Sequence, residues 1–346
     1  VFYYRADFAG MRKLFLDHQA LAETLSDKPL LGIFYVWLSS SLFNTGNVKE
    51  SHRFNLIALE MCKDSGDTDF GMGYANLIWC CAELKLLDQG IQFGDEVLAK
   101  RDDFEPMGYF LALGGLGMIY IFKGDSQKNF ELGRILLEFG KSHSDLRSTV
   151  VGYICTSYGH YSAGDFVKAV EWSKKAVELS NDPIFSVWPK LVLANFFLQS
   201  GQYQEARVIL REIIPFCQNL GMEYIVLWAQ GLYGAVLMAE GQFSRGLKML
   251  AEGNRVFTES GRFVSLYFIE FALAEIYFQM ATRRRRLGFR TIFKNLGFIL
   301  KEVPFARRKA ETYLRKIIQV GQEIGASGFM QSHAARNLEL LLGRPK

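Results

Sequence analysis

A chain of 346 residues with 49% hydrophobic and 22% charged residues has the composition of a folded soluble protein, and its seven prolines, with almost no alternating β-type runs, favour helix. The formal net charge of +4 is small for this length and gives no global electrostatic case for nucleic acid or membrane as a partner. Five cysteines, Cys62, Cys80, Cys81, Cys155 and Cys217, are odd in number and lack a CxxC spacing, so they read as reduced core residues and not as a disulfide or zinc framework.

From the N-terminus, residues 8–24 read as the closing helix of a unit. Pro29 then opens a first helix to about residue 43, in a position where its missing N–H has no helical partner. A turn at Asn44-Thr45-Gly46-Asn47 leads to a second helix ending near residue 63. This unit of helix, Gly turn and helix recurs, and its inner turns are placed at Gly46, Gly90, Gly124, Gly164, Gly201 and Gly241, with gaps of 44, 34, 40, 37 and 40 that average 39. Residues 164–183 are the clearest copy. Counting from Phe166, the apolar or small residues Ala169, Val170, Ser173, Ala176 and Val177 trace one helical stripe. Three turns share Gly, Asp or Gln, an aromatic, two variable residues and a small residue: Gly164-Asp165-Phe166-x-x-Ala169, Gly201-Gln202-Tyr203-x-x-Ala206 and Gly241-Gln242-Phe243-x-x-Gly246. The small residue lets two helices approach, and the aromatic fills the gap above it. Pro106 and Pro183 are expected to open further first helices, and Pro215 to kink a second one.

After a first helix over residues 262–281 the rhythm breaks. Residues 282–303 read as an insertion: a basic turn from Thr282, then an amphipathic helix in which Phe289, Ile292, Phe293, Leu296, Ile299, Leu300 and Val303 follow a helical period. The second helix of that penultimate unit is expected to start at Pro304, and a last helix spans about residues 328–342.

The turn pattern resembles the tetratricopeptide repeat, in which two helices meet at a Gly-Asp-Tyr turn with a small residue five positions after the Gly. Leu116-Gly117 with Tyr120, Leu193-Ala194 with Phe197 and Tyr233-Gly234 with Leu237 extend the likeness into the first helices. The resemblance implies an all-α, right-handed superhelical solenoid of about seven to eight hairpins over residues 1–346. Its concave face would be lined by Val151, Ile154, Tyr158 and Tyr161, by Trp188, Leu191, Asn195 and Gln199, and by Trp228 and Met238. Of the basic and Asn set that clamps a peptide carboxylate in some relatives, only Asn195 fits, so an apolar or amphipathic segment is the expected partner.

A second resemblance covers about sixty C-terminal residues. The run Lys294-Asn295-Leu296-Gly297-Phe298-Ile299-Leu300-Lys301-Glu302-Val303-Pro304-Phe305-Ala306, with Lys309-Ala310-Glu311 and Ile324-Gly325-Ala326, is similar to the tail of bacterial signalling proteins. In those, a class III adenylate or guanylate cyclase domain and an AAA-type ATPase module precede the repeats; Glu339 departs from the Gly usual there. This implies a fragment of a longer cytoplasmic chain, regulatory and non-catalytic, binding a protein or its own upstream domains. The alternative is the effector-sensing arm of an ATPase-type transcription regulator.

No motif argues for catalysis. Gly140-Lys141-Ser142 lacks the Gly five residues earlier that a P-loop needs, since Ile135 stands there. Gly114-Gly115-Leu116-Gly117 lies within a helical pattern, and the histidines His18, His52, His143, His160 and His333 are scattered singly. No cofactor or metal is expected. The densest charge, Arg283, Arg284, Arg285 and Arg286 with Arg290 and Lys294, is a candidate anion patch weighed against a solvated helix end. The longest uncharged runs, residues 108–122 and 224–239, are shorter as helices than a bilayer's roughly 30 Å of hydrocarbon, so no membrane contact is expected.

Overall fold

Wholly apolar segments alternate with amphipathic ones along the chain, and each such pair folds as a helical hairpin. The computed structural model describes residues 5–62, 70–101, 104–282 and 289–343, and among them it contains helices and no strand. After α1 (Phe8–Asp17) and α2 (Gln19–Ala22), the hairpins are α3 (Lys28–Asn44) with α4 (Val48–Cys62), α5 (Gly71–Glu83) with α6 (Leu87–Ala99), and α7 (Pro106–Lys123) with α8 (Ser126–Ser142). They continue with α9 (Leu146–Ser162) and α10 (Phe166–Leu179), α11 (Val187–Gln199) and α12 (Tyr203–Asn219), and α13 (Glu223–Ala239) and α14 (Phe243–Ser260). The chain closes with α15 (Phe263–Thr282), α16 (Phe289–Lys294), α17 (Leu296–Glu323) and α18 (Phe329–Leu342). Each first helix packs on its own second helix, on the second helix before it and on the neighbouring first helices. That surrounding explains why α7 is apolar on every side, whereas α8, α10, α12 and α14 keep a polar outer face.

The inner turns are more regular than their glycines suggest. Left-handed backbone occurs at Gly46, Lys85, Gly124, Gly164, Gly201 and Gly241, spaced 39, 39, 40, 37 and 40 residues apart. The turn expected at Gly90 is therefore at Lys85, with φ 63°. Gly90 lies inside α6 as the small residue five positions after the turn, where an added Cβ would sit 3.0 Å from Cys81 Cβ. In the same register Ser51, Asn129, Ala169, Ala206 and Gly246 are buried. Asp125 and Asp165 cap the helices that follow, accepting from the N–H groups of Lys128 and Lys168 at 3.0 and 3.1 Å.

Some prolines mark boundaries, while Pro215 lies inside α12 as expected and two others depart from expectation. Pro29 and Pro106 sit in the first turn of α3 and α7. Pro183 does not open a first helix, because residues 183–186 form a turn and α11 begins at Val187. Pro304 does not start one either: the helix expected to end near residue 303 continues through it as α17. Leu300 is exposed, so the carbonyl that Pro304 leaves without its helical donor lies on a face open to water.

The row of hairpins curves back so that its C-terminal helices pack on earlier ones. α15 packs against α5, and α18 against both α15 and α9. Phe122 sits among Phe263, Tyr267 and Phe268 with ring centroids 5.1–5.5 Å away. Phe329 packs edge-on against Phe166 at 4.8 Å, and the Ser327 N–H donates to the Lys123 carbonyl at 3.1 Å. At this seam the backbone of Gly328 lies so close to Gly124 that a Cβ on Gly328 would be 2.5 Å from the Gly124 Cα. By length and composition α7 and α15 could each cross a membrane, but 78% and 61% of their apolar windows are buried within the protein.

A buried ion pair joins the same distant parts. Glu83 on α5 and Arg262 before α15 are each 1% exposed, with Nη1 and Oε1 3.5 Å apart. The Glu83 carboxylate accepts from the Tyr224 hydroxyl at 2.6 Å and the Val264 N–H at 3.2 Å. Arg262 lies 3.7 Å over the Tyr224 ring and donates to the Phe43 carbonyl. Burial pushes the Glu83 carboxyl above its ordinary pKa, against the opposing pull of Arg262 and these donors.

Candidate functional site: a cavity beneath the inserted helix

Residues of α11, α13 and α15, together with the inserted segment, line a partly open cavity of about 470 Å³. One wall comes from Asn195, Leu198 and Gln199 on α11, and another from Trp228, Leu232, Ala235 and Met238 on α13. Phe268, Phe271, Ala272, Glu275 and Ile276 on α15 form the floor, while Ile292 of α16 and Phe298, Ile299 and Val303 of α17 cover it. The cover is anchored by Asn295, whose side-chain amide donates to the Gly241 carbonyl at 2.9 Å. Phe298 packs at a tilt against Phe243, the aromatic of the Gly241 turn, with ring centroids 5.3 Å apart.

Few polar groups break this surface. The Trp228 indole stacks on Phe268 at 6.3 Å and is 6% exposed, yet its N–H has no acceptor among the described residues. An unpaired buried donor of this kind costs about 1–3 kcal/mol unless a ligand or water accepts from it. Glu275 is the one charged residue in the lining among the described residues. It accepts from Gln279 at 2.8 Å and Asn337 at 3.0 Å, and meets His333 Nε2 at 2.9 Å. Burial alone would raise its pKa; the hydrogen bonds from His333, Gln279 and Asn337 hold it below the usual glutamate range, as a carboxylate.

The residues expected to line one continuous concave groove divide into two groups. Asn195, Gln199, Trp228 and Met238 border the cavity. Val151, Ile154, Tyr158, Tyr161 and Leu191 are at most 1% exposed and cannot contact a partner in this conformation. Tyr161 stacks on Phe196 at 4.9 Å and meets Phe329 at 6.2 Å, so α18 occupies the space expected for a ligand. Trp188 is half-buried, donates to the Tyr158 hydroxyl at 3.2 Å and packs on Trp79. In the candidate anion patch, Arg290 and Lys294 are exposed on α16, while Arg283, Arg284, Arg285 and Arg286 lie outside the described residues.

Sequence reasoning missed Glu275, Phe268, Phe271 and the covering residues. A signal existed for the first: Glu270 and Glu275 are the only charged residues of the otherwise apolar α15. Glu270 is taken up by an ion pair with Lys316, which leaves Glu275. Among the described residues no group of three or more His, Cys, Asp or Glu is placed to hold a metal ion.

No protein-family model matches this chain, and no curated protein is similar to it.

Proposed function

We propose that the chain is a non-catalytic regulatory module of tetratricopeptide-like hairpins, arranged as a right-handed solenoid, that senses an amphipathic ligand in the cavity beneath α16 and α17. The observation that carries this reading is the cavity itself. Its volume falls within the roughly 300–1,000 Å³ typical of small-molecule sites, and it has the usual composition of apolar walls with a few convergent polar groups. Apolar walls and the Glu275 carboxylate favour a ligand with an apolar body and a hydrogen-bond donor. The resemblance of the C-terminal segment to cyclase and AAA ATPase tails places such a module, in this reading, downstream of nucleotide-handling domains in a bacterial cytoplasmic signalling protein.

Ala235 borders the cavity midway along α13. Replacing it with Trp fills the cavity without removing a contact. The neutral dye Nile red should bind the wild-type chain saturably and bind A235W at least about tenfold more weakly, with helical circular dichroism unchanged. Equal binding by both proteins would reject the cavity as the site.

A further inference from the structure

The helix that covers the cavity has a second apolar face that no described residue covers. Phe289, Phe293, Leu296 and Leu300 fall at i, i+4, i+7 and i+11, a single stripe along a helix. The Asn295 N–H donates to the Thr291 carbonyl at 3.2 Å and the Ile299 N–H to the Asn295 carbonyl at 2.9 Å, so α16 and α17 meet across the single residue Asn295, whose φ of −115° and ψ of 21° depart from helical values. Phe289 is 83% exposed, Phe293 74% and Leu300 68%. Of the residues that border the cavity, Phe298 lies on the opposite arc, whereas Ile292, Ile299 and Val303 flank the stripe along one side.

A basic row runs beside the stripe. Arg290, Lys294, Lys301 and Arg308 stand at i, i+4, i+11 and i+18, and all four are exposed. The only acid between residues 289 and 308 is Glu302, which is buried and paired with Lys309 at 2.6 Å. Exposed aromatic and leucine side chains flanked by Lys and Arg, with no exposed acid, are the pattern of a helix lying in the headgroup region of a bilayer.

We infer that this face docks the protein on an anionic membrane surface. Phe289, Phe293 and Leu300 enter the boundary between headgroups and acyl chains, and the basic row lies against lipid phosphates. A second copy of the chain is a poor occupant, because a two-fold contact would set one basic row against another. Lysine is depleted in protein–protein interfaces, whereas Lys294 and Lys301 both flank this stripe. The small net charge of the whole chain does not bear on the matter, since surface charges act within a screening length of about 8–10 Å.

Co-sedimentation of the purified chain with lipid vesicles tests this. Vesicles of phosphatidylcholine with about one third phosphatidylserine should bind it, pure phosphatidylcholine should bind it weakly, and binding should fall as salt rises. F293S/L300S should lower the partition coefficient at least about tenfold. R290Q/K294Q/K301Q should lower it and flatten the salt dependence. Both variants change exposed side chains, so melting temperature and helix content should match the wild type. Absence of vesicle binding at low salt, or binding unchanged in both variants, overturns the inference. So does a concentration-dependent dimer, or capture of an acidic protein, that the variants abolish while vesicles remain unbound; the face would then be a protein interface.

Discussion

Burying Glu83 and Arg262 together takes two charges out of water, and their attraction offsets that cost only because Tyr224, Val264 and Phe43 supply further hydrogen bonds. Removing one member leaves the other charge stranded at 1% exposure. We expect Glu83→Ala to lower unfolding free energy by about 3–5 kcal/mol in urea denaturation, and Arg262→Met by a similar amount. The double variant Glu83→Leu with Arg262→Met should lose clearly less than the sum of the two single changes, and additive losses would show that the pair is not coupled. Nothing in the local sequence distinguishes these two residues. Glu83 ends one apolar helix and Arg262 precedes another, which is also how an ordinary solvated helix terminus reads. Their partnership requires α5 and α15 to be neighbours, a fact of the fold alone.

At the scale of the element, Lys85 holds a left-handed conformation that five of the six inner turns assign to glycine. For an L-residue this backbone costs about 1–2 kcal/mol. The exposed ion pair of Lys85 with Glu323 returns no more than about 1 kcal/mol. The strain outweighs the pair, so Lys85→Gly should stabilise the protein by up to about 1 kcal/mol, read as a rise in melting temperature; a fall would mean that the contact with α17 matters more than the turn. Hairpins with the full motif, at Gly164, Gly201 and Gly241, were legible directly, because glycine, aromatic and small residue each answer a local need of a tight helical turn. The hairpin of α5 and α6 was not, since its turn lacks glycine and the glycine five residues later served a different purpose. The continuity of α17 through Pro304 was hidden for a related reason: an interior proline usually ends or kinks a helix, and whether packing holds the helix together through it is decided by the tertiary structure.

For the whole molecule, the seam between the Gly124 turn and the loop before α18 decides whether the row of hairpins is closed or open. Gly328 has φ −80°, so alanine fits its backbone, and the only obstacle is the Gly124 Cα 2.5 Å from the new Cβ. Gly328→Ala should therefore act on closure alone. The expected result is a larger radius of gyration in solution scattering, with faster amide exchange in α18, or a destabilisation of about 1–3 kcal/mol if the seam stays shut under strain. Neither change would show that the seam is loose enough to absorb a methyl group. Opening here would also uncover Phe166 and Tyr161, the latter part of the concave surface anticipated from the repeat pattern.

The division between sequence and structure follows the range of the forces. Helix periodicity, capping and turn chemistry act over four or five residues, so the sequence by itself determined an all-helical chain, a unit of about 39 residues and an amphipathic insertion after residue 282. Among the ten groove residues it also picked out Asn195, Gln199, Trp228 and Met238. What remained depends on small rotations between successive hairpins, which accumulate over the chain and leave no mark in any one of them. Only the tertiary structure decided that α18 fills the space beside Tyr161, that α17 covers α11, α13 and α15, and that the cavity lies between them.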